Sequence, residues 1–254
     1  MTTVVVKLAR PHRAGEQAVL RGMRREAHLL SELSHPALVR GFGADLDCSR
    51  PHIVMEHCEG PTLEKLVVTM GHLPVEQLLP LGVQIAAALH YMHGEGVLHL
   101  DVKPRNVIMG AQPRLIDLSV ARTYERAARM KKPLGTDAYM APEVCMVPDA
   151  SVASPADVWS LGSALFFALA GHPPFPRTSE YSREDRSSRF PQIEGAAPSI
   201  PDQATPRLRA LVAACLEREP TRRPTARAVV EELQEIEEAR PITRILGRTR
   251  PRLV

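Results

Sequence analysis

Apolar positions at helical spacing recur along most of this chain, after a short opening that reads as β structure. The β-branched run Val4-Val5-Val6 before Lys7 predicts a strand. Over residues 21–33, Met23, Ala27, Leu30 and Leu33 fall on one helical face with Glu26 beside them. His35-Pro36 ends that helix, because the residue before proline is pushed out of the helical region. Two further strands are expected around residues 37–42 and His52–Glu56, and Gly60-Pro61 marks a boundary. Beyond it, Leu78, Leu81, Ile85, Leu89 and Met92 align over residues 74–93 as a long helix with proline in its first turn. Pro80 is expected to kink that helix or limit its first turn. Short strands and turns follow over 97–116, then helices over 155–170, 206–215 and 225–238. The proline-, serine- and charge-rich stretch 173–206 reads as mostly loop, and no internal repeat is visible.

Composition narrows the class. With 254 residues and 44% hydrophobic, the chain can bury a full core as one large domain or two joined lobes, which excludes a disordered reading. The net charge is only +3, and the basic residues are scattered apart from Arg244, Arg248, Arg250 and Arg252, so nucleic acid is not the expected partner. Cys48, Cys58, Cys145 and Cys215 have neither zinc spacing nor a disulfide framework, which predicts a reducing, cytoplasmic setting. No apolar run is long enough for a transmembrane segment, and no signal-peptide pattern opens the chain. His90, His93 and His99 read as a helix end and a packed loop residue rather than a metal cluster, and Trp159 reads as core.

Chemistry concentrates in one stretch. His99-Leu100-Asp101-Val102-Lys103-Pro104-Arg105-Asn106 sets a carboxylate, an ammonium and an amide on a proline-constrained loop, and Asp117 follows the apolar pair Leu115-Ile116. Transfer of a phosphoryl group needs a metal, a cation and a carboxylate that orients the attacking hydroxyl, and these groups could hold the first and supply the other two. Their order and spacing resemble the signature set of the eukaryotic-like (Hanks-type) serine/threonine protein kinases. Lys7 in Val-Val-Val-Lys resembles the phosphate-holding lysine and Glu26 its helix partner; residues 99–106 resemble the catalytic loop. Asp117-Leu118-Ser119 resembles the metal-binding triplet, and residues 135–143 the end of the activation segment. Asp157 to Gly162 is similar to the start of the central buried helix, and Arg223 looks like the arginine that pairs with Glu143. The preponderance of arginine over lysine points to a GC-rich, bacterial genome.

The resemblance implies an α+β, two-lobed fold. A truncated, β-rich N-lobe would occupy residues 1–57, a mostly helical C-lobe 58–240 and a basic tail 241–254. It implies ATP and Mg2+ as cofactors and a protein substrate bearing Ser or Thr, in signal transduction. Asp101 would take the substrate hydroxyl proton, Lys103 would contact the γ-phosphate, and Asn106 with Asp117 would hold the metal. Lys103 and Thr136 match the serine/threonine-directed type. Met55 stands at the gatekeeper position, Glu56 and Cys58 would meet adenine through backbone groups, and Val5 and Ile108 would enclose the base.

Departures from the pattern carry their own expectations. The family's Gly-rich loop lies two strands before Lys7, where this sequence has six residues, so weak transfer is expected, or alternatively a pseudokinase acting as a non-catalytic interaction module. A true start upstream of Met1 is expected on the same ground. Val5 replaces an alanine and Ser119 a glycine. Leu100 replaces the arginine that receives an activation-loop phosphate, so activity is expected not to depend on phosphorylation between Asp117 and Thr136.

Overall fold

The computed structural model describes residues 3–9, 16–176, 182, 184–196 and 198–240, and the basic tail expected at 241–254 lies outside them. In chain order the elements are β1 (Val4–Leu8), α1 (Glu16–Glu32), β2 (Gly41–Asp45), β3 (His52–Glu56), α2 (Leu63–Met70), α3 (Val75–Gly94) and β4 (Val97–Leu98). There follow β5 (Val107–Met109), β6 (Pro113–Leu115), β7 (Arg122–Thr123), α4 (Tyr124–Ala128), α5 (Pro142–Cys145) and α6 (Pro155–Ala170). The remainder is α7 (Arg186–Arg189), α8 (Pro206–Cys215) and α9 (Ala226–Glu238). This is the α+β arrangement expected from the sequence, with a β-rich opening followed by a mostly helical part.

The opening sheet has the order β1-β3-β2, antiparallel throughout, with Val5 opposite Met55 and Lys7 opposite Ile53. Because strand side chains alternate, Val5 and Lys7 project from one face of β1. Helix α1 lies against this sheet, with Leu30 beside Gly41, and buries Met23, Leu29 and Leu30. Gly41 permits that contact: a Cβ there would stand 2.7 Å from the Leu30 Cβ.

In the helical part, α6 is buried along almost its whole length, from Ala156 to Leu169, and forms the axis of the core. A helix apolar all round can only sit inside, and α3 and α8 pack around it. Trp159 stacks on Phe175 with centroids 5.7 Å apart. Among the described residues no helix is long and apolar enough to cross a membrane.

Three expectations need correction. Helix α1 begins at Glu16 rather than residue 21, because Gln17, Ala18 and Val19 stay exposed and leave no apolar stripe. Helix α2 was not anticipated: it buries only Leu63 and Val67, too few positions to show a period, although its Thr62 cap accepts from Lys65 N–H. Strand β2 is shifted towards the C-terminus of the expected 37–42, since residues 37–39 pair instead with Leu115, through Leu115 N–H to Ala37 O (2.7 Å) and Val39 N–H to Leu115 O (3.0 Å). Pro80 sits inside an uninterrupted α3. Stretch 173–206 is mostly irregular among the described residues, as expected, but holds α7, capped by Asp185, and a 3-10 turn at Pro191–Ile193.

Candidate active site

Strand β1, helix α1 and the turn after β6 deliver three charges to one point. The Lys7 ammonium donates to Glu26 Oε1 at 2.7 Å, to Glu26 Oε2 at 2.8 Å and to Asp117 Oδ1 at 2.9 Å. Glu26 shares its helix face with buried Met23 and Leu30, so its carboxylate is almost fully enclosed and burial pushes its pKa up against the pull of Lys7. Burial opposes the charge on Lys7 as well, but the two carboxylates outweigh it and raise the ammonium above its usual value. For Asp117, burial again favours the neutral form, and Lys7 together with Ser119 overcomes it, holding the carboxyl down at about 2. Lys7 and Asp117 are therefore charged at neutral pH.

A second network lies beside the first. Asp101 Oδ1 accepts the Thr136 hydroxyl at 2.7 Å, and Oδ2 accepts Lys103 Nζ at 2.6 Å and Asn106 Nδ2 at 3.1 Å. Lys103 also donates to Thr136 Oγ1 (2.7 Å), and Asn106 Nδ2 to the Asp101 carbonyl (2.9 Å). Both carboxylate oxygens are thus held in orientation by donors from two separate segments. Ile116 N–H donates to Asn106 O at 2.8 Å, which sets Asp117 next to Asn106 and joins the two networks.

The loop before Asp101 takes an unusual path. Leu100 has φ 63°, a left-handed conformation that costs a branched residue energy unless its surroundings impose it. Asp157, at the start of α6, imposes it by accepting His99 N–H at 2.9 Å, Leu100 N–H at 2.8 Å and His93 Nε2 at 2.9 Å. Burial would raise the Asp157 carboxyl, but His93 and these amides hold it below the usual range. His99 accepts Asp101 N–H at its Nδ1 (3.2 Å), which puts the ring proton on Nε2, and its complete burial lowers its pKa and keeps it neutral. Asp117 also has positive φ, 69°, fixed by its Lys7 and Ser119 contacts. Arg25, beside Glu26, ties α1 to this turn through the Ser119 carbonyl at 3.1 Å.

Between the sheet and the helical part opens a cavity of about 350 Å3, walled by Val5, Lys7, Glu26, Val39, Met55, Glu56, His57, Cys58, Ile108, Ile116 and Asp117. Every sequence-selected binding residue is therefore on this wall, while Asp101, Lys103 and Asn106 form the adjoining network. Sequence reasoning missed Val39, His57 and Ile116 as wall residues, and it gave Asp157 no part in shaping the loop. The Cys58 thiol is pushed up by burial and by Glu56, so it stays protonated.

Further along, the segment ending at Glu143 is locked to the core. Gly135, at φ 116°, lies so close to the loop that a Cβ would come within 2.4 Å of the Leu100 carbonyl. Arg223 holds Glu143 bidentately at 2.7 and 2.8 Å and donates to the carbonyls of Pro155, Glu217 and Arg218. Asp137 pairs with Arg189 through two bonds of 2.9 and 3.0 Å.

Comparison with known proteins agrees with this geometry. Residues 1–233 match the protein kinase domain family. The serine/threonine-protein kinase AfsK of Streptomyces coelicolor is 32% identical over 225 residues, which is 87% of this chain and 27% of AfsK. Serine/threonine-protein kinase PknB of Mycobacterium leprae is 33% identical over 68% of this chain and 29% of its own length. Serine/threonine-protein kinase pkn2 of Myxococcus xanthus is 32% identical over 87% of this chain and 28% of its own. The chain thus spans under a third of each of these relatives. Since the family match covers nearly all of the sequence in which these networks lie, this chain belongs to the protein kinase domain family.

Proposed function

We propose that this chain transfers the γ-phosphoryl group of ATP to Ser or Thr hydroxyls of proteins, with residues 1–57 and 58–240 as the two lobes around the cleft. The observation that carries this reading is the Asp101 carboxylate, oriented by Thr136, Lys103 and Asn106 beside the Lys7–Asp117 pair. Adenine fills the apolar cavity between Val5 and Ile108, with its edge against the Glu56 carbonyl and Cys58 amide and its inner side against Met55. The Lys7 ammonium, held by Glu26, neutralises the phosphates, and Lys103 meets the γ-phosphate. The incoming hydroxyl oxygen forms a bond to the γ-phosphorus, its proton passes to Asp101, and the bond to ADP breaks.

The donor set fits magnesium. Asn106 turns its Nδ2 to Asp101, which leaves the amide oxygen available, and Asp117 binds Lys7 and Ser119 through Oδ1, which leaves Oδ2. Two hard oxygens are what Mg2+ takes from a protein when phosphates and water complete its shell, and no denser cluster of His, Cys, Asp or Glu occurs among the described residues. Bound there, the ion would neutralise phosphate charge. Cys58, Cys145 and Cys215 are free thiols, which suits a cytoplasmic setting.

Incubation of the purified protein with labelled ATP, magnesium and a Ser/Thr protein substrate tests the proposal. Label should enter the substrate with wild type and be lost with Asp101→Ala; equal incorporation by both sinks the reading and leaves the non-catalytic interaction module.

A further inference from the structure

The segment that leads into Thr136 carries more positive charge than its contacts among the described residues use. Arg122, Arg126, Arg129, Lys131 and Lys132 stand there against a single carboxylate, Glu125, which pairs with Arg129 at 3.0 Å. Arg126, Lys131 and Lys132 are exposed and have no carboxylate partner among the described residues. Arg122 spends its Nη1 on the Val120 and Ala121 carbonyls, and Arg25 donates to the Ser119 carbonyl. Burial, and then repulsion from Arg25 and Arg126, pushes the Arg122 guanidinium down to about 10. Like charges crowd together here, and among the described residues Glu125 is the carboxylate that pairs with one of them.

The location is close to the phosphoacceptor. Thr136 Oγ1 bonds Asp101 at 2.7 Å, and Lys132 precedes it by so few residues that the chain can separate them by at most about 14 Å. Carboxylates near the same point are already engaged: Glu64 with Arg105 (2.6 Å), Asp137 with Arg189 (2.9 Å) and Asp117 with Lys7 (2.9 Å). Among the described residues, the charge left unpaired on this segment beside Thr136 is therefore positive.

We propose that the Arg122–Lys132 segment is an electropositive platform that selects protein substrates whose phosphoacceptor is flanked by Asp and Glu side chains. This rests on the reading of Asp101 as the residue that meets the substrate hydroxyl. Complementary charge of this kind steers encounter and sets register more than it adds raw affinity, so its signature is a preference that reverses with the sign of the platform.

Fluorescence anisotropy with labelled peptides carrying alanine in place of the phosphoacceptor, flanked by glutamates or by arginines, provides the test. Wild type should bind the glutamate peptide at least about tenfold more tightly, and the preference should shrink as salt screens exposed charges. Lys131→Glu/Lys132→Glu, at two exposed positions, should keep the melting temperature and abolish or invert the preference. Equal affinities, or a preference indifferent to the double substitution, overturn the proposal. So does displacement of the peptide by polyuridylate at lower concentration than by polyglutamate, which would assign the surface to nucleic acid. Because an alanine peptide binds without transfer, failure here is separable from failure of the kinase reading: an acidic preference with no phosphoryl transfer to any peptide sinks only the latter. Equal kcat/KM on acidic and basic Ser peptides sinks only the platform.

Discussion

Replacing Arg223 tests how the segment ending at Glu143 is held. A guanidinium has five N–H donors, and here each has a partner: two on Glu143, the others on the carbonyls of Pro155, Glu217 and Arg218. The group also lies 5.0 Å above the Trp159 ring. Its side chain is 0% exposed and that of Glu143 7%, so Arg223→Ala would leave a carboxylate buried without a counter-charge. Breaking one side of such a pair costs about 3–5 kcal/mol, and a lost cation–π contact adds about 1 kcal/mol. Against a total stability of about 5–15 kcal/mol this is a large fraction. Urea denaturation should show a midpoint lowered by at least about 1 M with little change in slope. Glu143→Gln/Arg223→Met, which removes both charges, should cost clearly less than Arg223→Ala alone. A loss under about 1 kcal/mol for Arg223→Ala, or a double variant worse than the single one, would refute the reasoning.

Asp157→Ala leaves the amides of His99 and Leu100 buried without acceptors, and should cost about 1–3 kcal/mol for each while releasing Leu100 from its left-handed path; calorimetry and transfer rate should fall together. Gly135→Ala forces a Cβ into the Leu100 carbonyl and should lower transfer more than nucleotide affinity, read from a kcat loss with KM for ATP nearly unchanged. Asp117 has a carboxyl depressed to about 2, so its contribution to stability is present above the ordinary carboxylate value and lost as pH falls towards 2. With its side chain one-third exposed, the effect should be about 1 kcal/mol, measured by denaturation between neutral and acid pH, and should vanish in Lys7→Met.

How much of this could be read from the chain differs by element. The long helix α3 was legible because burial on one face writes a period of apolar residues, and α6 as a long apolar run, whereas α2 buries two side chains and leaves almost no trace. Lys7, Glu26, Asp101, Asn106 and Asp117 were legible as a set because spacing around each matches a family pattern, and no periodicity would have brought them together. The support beneath them was not. Asp157 bonds amides 57 and 58 residues away, and nothing local to either segment encodes that contact. Val39 and Ile116 reach the cavity wall only because residues 37–39 pair with Leu115, a long-range bridge that displaced the expected strand. The left-handed conformation of Leu100 is equally invisible, since it is imposed by Asp157 and not by any preference of leucine.

The central claim is that Asp101 acts on the substrate hydroxyl and not on the nucleotide. Measuring ATP-magnesium affinity and single-turnover phosphoryl transfer side by side in wild type and Asp101→Asn separates these roles. The structure predicts an affinity nearly unchanged, because Asp101 lies off the cavity wall, and transfer slowed by about 10²–10⁴-fold. Transfer at the wild-type rate by Asp101→Asn, with nucleotide binding intact, would contradict it.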